Sequence, residues 1–308
     1  MSDRATDELL PGASEVAFSD IEATLAKLAR EGHGRRRLPS RSLTATVVVV
    51  GTPAKLKEAA DALEHLAGSS GVRAILISEG SLTSPAVRVS EYSVAITDLA
   101  PRYVDNAVAA LRLSSLPAVV WWRGGSPEAL GELAELADRL VLDTDNPADV
   151  WAKAEDLFAQ TAVTDLRWTR LTRWRSLLAN CFDIPQVCDA IPKLNQLTIA
   201  AHDTPSARLF AGWLMSTLRP TAPWQLSIKP GKGESQLPLD SVQLGSDDVS
   251  VTIEARGASI ETRVDKPHMC ARVAPLSDRT LARWFGDELA VRARDVAFEA
   301  ALLASRSL

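Results

Sequence analysis

The chain has 308 residues, with 34 Lys and Arg against 39 Asp and Glu, a formal net charge of −5, and 46% hydrophobic residues. That length suits two domains of ordinary size, and the small acidic excess supplies neither a basic field for nucleic acid nor an acidic tail. No apolar run approaches the roughly 20 residues that span a bilayer, the acidic start MSDRATDELLPGASE lacks an apolar h-region, and three cysteines without a CxxC argue against a disulfide framework or a zinc site. The expectation is a cytoplasmic protein, off the membrane, with no nucleic-acid partner and no metal or cofactor.

Residues 1–18 show no periodicity and read as a flexible arm. Ser19 and Glu22 form a capping box for a helix with Ile21, Leu25 and Leu28 inward, ending at Gly32. A basic run follows over residues 35–41, either a solvated loop or a contact for an acidic partner. Residues 43–50 end in an uninterrupted β-branched run, the pattern of a strand buried on both faces. Thr52 as N-cap and Pro53 at the first helical position open a helix whose core stripe is Leu56, Ala59, Ala60, Leu63 and Leu66. Residues 72–77 and 86–96 read as two further strands, the second nearer an edge. The alternation then recurs. A helix carries Val104, Ala107, Val108 and Leu111; a strand covers 117–122; Ser126 caps a helix; a strand covers 139–142; and Asp145-Asn146-Pro147 opens a helix with Val150, Trp151, Ala154, Leu157 and Phe158. Such alternation means right-handed crossovers and a mostly parallel sheet. Residues 19–163 are therefore assigned to an α/β domain.

Residues 165–183, DLRWTRLTRWRSLLANCFD, separate two halves of different pattern. At helical spacing Leu171, Trp174, Leu178 and Phe182 form one apolar stripe, with Arg167, Arg170, Arg173 and Arg175 around it. Residues 164–190 are read as a connecting helix segment. It is either a buried strut with snorkelling arginines or a recognition surface, since Trp and Arg dominate interface energetics. The stripe is expected to be buried and the arginines partly paired with acids, with Arg170 and Arg175 the better candidates for contact. Beyond it, a strand over 194–201 and a helix from Thr204-Pro205 precede several strands in succession. Val249, Val251, Ile253 and Ala255 alternate with polar residues, as do Ile260, Thr262 and Val264, and a last strand covers 268–273. Period-two alternation means one packed and one wet face. Two helices close the chain, one with Leu281, Trp284 and Phe285, the other with Leu289, Ala293, Val296, Ala300 and Leu303. Residues 191–308 are assigned to an α+β domain with a largely antiparallel sheet.

The sequence holds no strong catalytic motif. Gly51-Thr52-Pro53-Ala54-Lys55 lacks the P-loop glycines, and neither GxGxxG nor GxSxG occurs. Lys229-Pro230-Gly231-Lys232-Gly233 reads as a hairpin turn. The four histidines, at 33, 65, 202 and 268, have no ligand spacing. His202-Asp203 at a strand end is either an acid/base pair or a loop His beside a capping Asp. Cys181 and Cys188 are a redox pair only if the helix breaks between them; otherwise Cys181 is a small hydrophobe of the apolar face. Cys270 reads as core. Trp121-Trp122-Arg123-Gly124-Gly125 is the most suggestive site, because the carboxyl ends of parallel strands face the functional crevice of such sheets. Trp121 and Trp122 are there either core on opposite faces or docking anchors. An enzyme reading would line that crevice with Trp122, Arg123 and Asp143, Arg123 receiving an anionic substrate.

Three segments, PAVVWWRGGSPEALGELAELADRLVLDT (117–144), DLRWTRLTRWRSLLANCFD (165–183) and SARLFAGWLMSTL (206–218), together resemble the glucose-6-phosphate dehydrogenase assembly protein OpcA family of actinobacteria and cyanobacteria. The pattern Asp165-x-x-Trp168-x-Arg170-Leu-Thr-x-Trp174-Arg175 is its most specific part. Arg173 stands where family members commonly have Pro. The resemblance implies a non-catalytic partner that promotes the active oligomer of glucose-6-phosphate dehydrogenase in the oxidative pentose phosphate pathway. It makes Trp121, Trp122, Arg123, Asp165, Trp168, Arg170, Trp174 and Arg175 the candidates for partner binding or for a domain junction. Thiol-responsive relatives would give Cys181 and Cys188 a role. A small-molecule enzyme and a thiol sensor stand as the alternatives.

Overall fold

The run of valines at 47–50 has no exposed surface because its strand has neighbours on both edges and helices over both faces. In the computed structural model, which describes residues 9–35, 43–66, 71–83, 85–232, 237–265, 270–275, 280–291 and 293–308, that strand is β2 of an eight-stranded sheet. The strands are β1 (Ser14–Val16), β2 (Ala45–Val50), β3 (Val72–Leu82), β4 (Ala86–Val89), β5 (Ser93–Leu99), β6 (Ala118–Trp122), β7 (Arg139–Leu142) and β8 (Ala162–Asp165), in the order β1-β4-β5-β3-β2-β6-β7-β8. β2 is parallel to β3 and β6, β3 to β5, and β6 to β7, while β4 runs antiparallel to β1 and β5. From β2 the chain moves to β3 on one side, and β6 later lands on the other. The β2/β6 boundary is thus the topological switch point, where open α/β sheets form their crevice. Thr52 caps the helix Pro53–Leu66 through the amide of Lys55, at 3.5 Å.

The chain divides into two compact units. The first comprises Met1–Thr164 with Thr280–Arg294, and the second Asp165–Arg279 with Asp295–Leu308. The first is α/β with a mostly parallel sheet. It includes the helix Leu281–Ala290, which lies against Pro53–Leu66. The second is α+β. Its sheet has β9 (Gln196–Ala201), β10 (Gln225–Pro230), β11 (Leu239–Gly245), β12 (Ser250–Arg256), β13 (Ser259–Asp265) and β14 (Cys270–Pro275), ordered β10-β9-β11-β12-β13-β14. β10 is parallel to β9, joined through the helix Thr204–Thr217, and the remaining pairs are antiparallel. On β12 the alternation is literal: Val251 and Ile253 are fully buried and Thr252 and Glu254 half-buried. The helices Thr204–Thr217 and Val296–Ser305 approach so closely that a Cβ on Gly212 would sit 2.2 Å from the carbonyl oxygen of Ala301.

Several expectations give way. Part of the supposed flexible arm is structured: Ser14–Val16 pairs with β4 as an edge strand, and Leu9 is buried. The strand read over 86–96 is a hairpin, β4 and β5, folded at the bend before Ser93, where Ser90 N–H donates to the Ser93 carbonyl at 2.8 Å. The helix opened by Pro147 is two short helices, Ala148–Ala152 and Ala154–Gln160, and β8 follows without alternation to announce it. The chain leaving Pro230 does not form a hairpin with β11, because β10 pairs with β9, and β11 lies across β9 from it; Gly233 of the expected turn lies outside the described residues. The helix after Ser19 starts at Ile21, behind a single 3-10 turn, and runs to Arg35 rather than stopping at Gly32. Glu22 turns away from the expected capping box to pair with Arg73. The closing helices break later than expected. Leu289 belongs to the first, which ends at Ala290, and Asp295 starts the second by accepting the Phe298 amide at 2.9 Å. The expected boundary at 191–308 also shifts, since Thr280–Arg294 groups with the first unit. Residues 36–41 of the basic run and the side chain of Cys270 lie outside the described residues.

Candidate functional site

At the switch point, Arg123 leaves the end of β6. Its backbone extends the ladder by donating to the Val50 carbonyl at 2.8 Å. Its side chain folds back over the ends of the strands and is engaged on every nitrogen. Nε donates to Asp143 at 3.0 Å, Nη2 to Glu58 at 2.9 Å, and Nη1 to the carbonyl of Lys55 at 2.5 Å. The guanidinium also lies 5.1 Å from the centroid of Trp121, within cation–π range. Arg123 and Asp143 are both buried, at 6% and 7% exposure. Gly51 permits this packing, because a Cβ there would lie 3.2 Å from that of Arg123. The crevice is therefore filled by a cation that two carboxylates already neutralise. Arg123 is not free to receive an anionic substrate, and the lining expected of Trp122, Arg123 and Asp143 is a closed structural network.

Trp121 and Trp122 point to opposite faces, and neither is exposed, at 0% and 1%. Trp121 stacks on Phe285 at 3.9 Å with an interplanar angle of 11°. Gly124 and Gly125 turn the chain with φ of +141° and +144°, a region open to glycine. A Cβ on Gly125 would fall 2.6 Å from Glu79 Oε1 and 2.7 Å from the Trp122 ring. The other Glu79 oxygen accepts the Ser126 amide at 2.7 Å, at the mouth of the helix Pro127–Leu136. Burial pushes the Glu79 carboxyl above its ordinary pKa, opposed in part by that bond. Glu58 and Glu79 are absent from any sequence pattern, and only topology brings them here.

The signature stretch in the second unit is two helices, Leu166–Arg170 and Thr172–Cys181, with the break at Leu171. Asp165 is fully buried and accepts the Arg167 amide at 2.8 Å as N-cap. Arg167 Nε reaches Asp203 at 3.0 Å, and the same Asp203 oxygen accepts the Ser206 amide and hydroxyl, capping Thr204–Thr217. Trp168 donates from Nε1 to Asp295 at 2.7 Å and meets Phe298 edge-on at 5.8 Å. The Arg175 guanidinium lies over the Trp168 ring at 3.4 Å, with bonds to the Trp168 carbonyl and the Thr172 hydroxyl. Leu171, Trp174 and Leu178 are buried and Phe182 half-buried, and the second helix packs on β12 and β13. Asp165, Trp168, Leu171, Trp174 and Arg175 of the motif thus each pack or bond inside their unit. Arg170 and Arg175 alone of the candidates are half-buried. Asp203 and Asp295, the anchors of the cluster, carry no sequence signal beyond standing before a helix.

The helix does break between the cysteines, as a redox pair requires. Cys181 ends one helix and Pro185 starts the next. Yet Cys181 is buried with Sγ on the Leu177 carbonyl at 3.3 Å, and Cys188 is exposed. His202 and Asp203 do not bond to one another through their side chains, Asp203 being the helix cap. Among the described residues no cluster of three His, Cys, Asp or Glu could hold a metal ion, and no helix is long and apolar enough to cross a membrane.

The family match lies mostly on the second unit. Residues 161–302 match a family described as the C-terminal domain of a glucose-6-phosphate dehydrogenase subunit. Two curated relatives are named "Putative OxPP cycle protein OpcA". That of Synechocystis sp. is 32% identical over 138 residues, 42% of this chain and 29% of the relative. That of Synechococcus elongatus is 31% identical over 167 residues, 51% and 36%. The matched segment spans about a third of the length of these relatives. Among solved structures, the super-repressor mutant of Gal80p from Saccharomyces cerevisiae superposes with a TM-score of 0.50 at 11% identity, over 86% of this chain and 94% of that one. The Gal80p likeness is one of fold alone, whereas the signature cluster lies within the matched domain, and over that domain the chain is similar to the OpcA proteins.

Proposed function

We propose that this chain is a non-catalytic partner of glucose-6-phosphate dehydrogenase, acting in the cytoplasm, that binds the enzyme and favours its active oligomer. The observation that carries the reading is the match of residues 161–302 to a domain described as belonging to a subunit of that dehydrogenase. The Arg123 network supports it from the other side, since the crevice in which a sheet of this kind holds its ligand is filled by the chain's own side chains. An effector of this type works by differential affinity: it stabilises whichever dehydrogenase state it contacts better, and the population follows. A coupling on the order of 1–3 kcal/mol, about 5–150-fold in affinity, is typical. Arg170 and Arg175, half-buried on the signature helices, are the side chains best placed to contribute, with Trp168 setting the position of Arg175.

The test mixes the purified chain with the dehydrogenase of its host, following mass distribution and the Michaelis constant for glucose 6-phosphate under reducing and oxidising conditions. A shift of the enzyme to a larger species with a lowered Michaelis constant supports the proposal. An unchanged mass distribution with unchanged kinetics in both conditions defeats it. A response confined to oxidising conditions and lost in Cys188→Ser would assign the exposed thiol a regulatory part.

A further inference from the structure

Within the second unit, β9, the helix Thr204–Thr217 and β10 form a parallel β-α-β unit, and a groove of about 500 Å³ opens at the carboxyl ends of its two strands. Three basic side chains line it: His202 directly after β9, Arg208 one turn into the helix, and Lys229 near the end of β10. Its apolar floor includes Leu226, Ile228 and Pro230. Arg208 stands four residues after Thr204, on the same helix face.

Lys193, Arg256 and Arg263 of the same unit each meet a carboxylate, Asp248, Glu254 with Glu261, and Glu261 respectively. None of His202, Arg208 and Lys229 makes an ion pair among the described residues. The adjacent acid, Asp203, is committed to Arg167 and to the helix cap. Arg208 and Lys229 are thus two cations without an ion pair in a chain of net charge −5, set in a concave wall that focuses their field and that the C-terminal residue Leu308 also lines. The His202 ring is also placed by the backbone. A Cβ on Gly231 would fall 2.6 to 2.9 Å from three atoms of the imidazole, so glycine at that position lets the ring lie against the strand end. The Gly231 amide meanwhile donates to the Ala201 carbonyl at 2.8 Å and holds the two strand ends together.

We propose that this groove binds the phosphomonoester of a small metabolite, the phosphate held by Arg208, Lys229 and His202 and the carbon skeleton lying on Leu226, Ile228 and Pro230. The volume falls inside the range of about 300–1,000 Å³ usual for small-ligand pockets. Arg and Lys at the rim of an apolar floor are the donor set that phosphate selects. The helix amides add little, because Asp203 already caps them. The inference is independent of the dehydrogenase partnership and is read on the chain alone.

Calorimetric titration of the purified chain with glucose 6-phosphate, glucose and inorganic phosphate tests it. Saturable binding of the sugar phosphate is expected, with inorganic phosphate weaker, glucose silent, and affinity falling as salt rises. Arg208→Gln and Lys229→Gln should each weaken binding by roughly tenfold, and the double variant should abolish it. Both side chains are exposed, so the melting temperature should stay unchanged and loss of binding cannot be ascribed to unfolding. Absence of saturable binding by either phosphate up to about 10 mM would overturn the proposal. So would binding that survives in the double variant, or preferential binding of a poly-glutamate peptide, which would make the groove a docking site for acidic protein.

Discussion

With Asp143 at 3.0 Å, Glu58 at 2.9 Å and the Lys55 carbonyl behind them, the Arg123 guanidinium is held from three directions. Its partners differ in what they would lose. Asp143 is buried, whereas the Glu58 side chain is 60% exposed and free to rehydrate. Replacing Arg123 by Ala strands a carboxylate in the interior and should cost about 3–5 kcal/mol of folding stability. Glu58→Ala should cost under about 1 kcal/mol. Urea denaturation of both variants checks the contrast, and equal losses would mean that Asp143 is hydrated after all. Glu79 behaves in the opposite sense. Its carboxyl is raised by burial, so the folded chain holds the proton more tightly than the unfolded chain. The protonated form therefore favours folding fully below the ordinary carboxyl pKa, and that contribution is lost as pH rises through the folded value. Glu79→Gln keeps an acceptor for the Ser126 amide and removes the half-buried charge. The variant should melt higher than the parent at pH 7, with the difference closing as pH falls below about 4. Thermal melts across that range would show it, and a variant that melts lower at pH 7 would refute the assignment.

Among the elements, those that announce themselves by period and cap were legible in advance. The four valines of β2, the Thr52-Pro53 start, the Ser126-Pro127 start and the alternation of β12 and β13 are local signals that tertiary packing reinforces. What escaped was set at a distance. β1 and β8 are edge strands with three and four residues, too short to show a period. The loop after Pro230 looked like a hairpin because its glycines are those of a turn, and only the pairing of β10 with β9 excludes one. Burial of Trp121 and Trp122 was one of two readings left open, and it is Phe285, far along the chain, that covers the first ring. Likewise Arg175 stacks on Trp168 through a seven-residue offset across the Leu171 break, a spacing that in a continuous helix shares a face but leaves the residues about 10 Å apart. The pair of helices Thr204–Thr217 and Val296–Ser305 gives an element-scale prediction. Gly212→Ala pushes a methyl group into the Ala301 backbone and should destabilise the chain by about 1–3 kcal/mol or more, although alanine is the better helix former. Gly131, which has open space at its Cβ position within the helix Pro127–Leu136, is the control. Gly131→Ala should stabilise by about 0.4–1 kcal/mol.

For the whole molecule, the decisive fact is that neither unit is a continuous segment. The chain leaves the first unit after Thr164, returns to it at Thr280, and leaves it again after Arg294. The returning segment brings Phe285 to Trp121 and Glu288 to Arg139, whose guanidinium is buried in the pair at 2.5 Å. A fragment of residues 1–164 would carry nearly all of the sheet and yet expose the Trp121 face and leave Arg139 without Glu288. It should be poorly folded by circular dichroism and prone to aggregate. The same fragment joined by a flexible linker to residues 280–294 should recover a cooperative transition. Equal behaviour of the two fragments would mean that the late helix is dispensable. Dissecting the protein at its apparent midpoint would thus give a misleading result for the first unit while leaving the family-matched half nearly whole.

The late return of that helix also bears on how the protein is made. A domain at the start of a chain ordinarily closes while the ribosome is still working, at about 5–20 residues per second. Here the first sheet emerges and must wait for residues 281–290, an interval on the order of ten seconds in which the faces of Trp121 and Arg139 have no cover. During that interval the nascent protein is a natural client for holding chaperones, and its yield in a cell should depend on them more steeply than the finished fold would suggest.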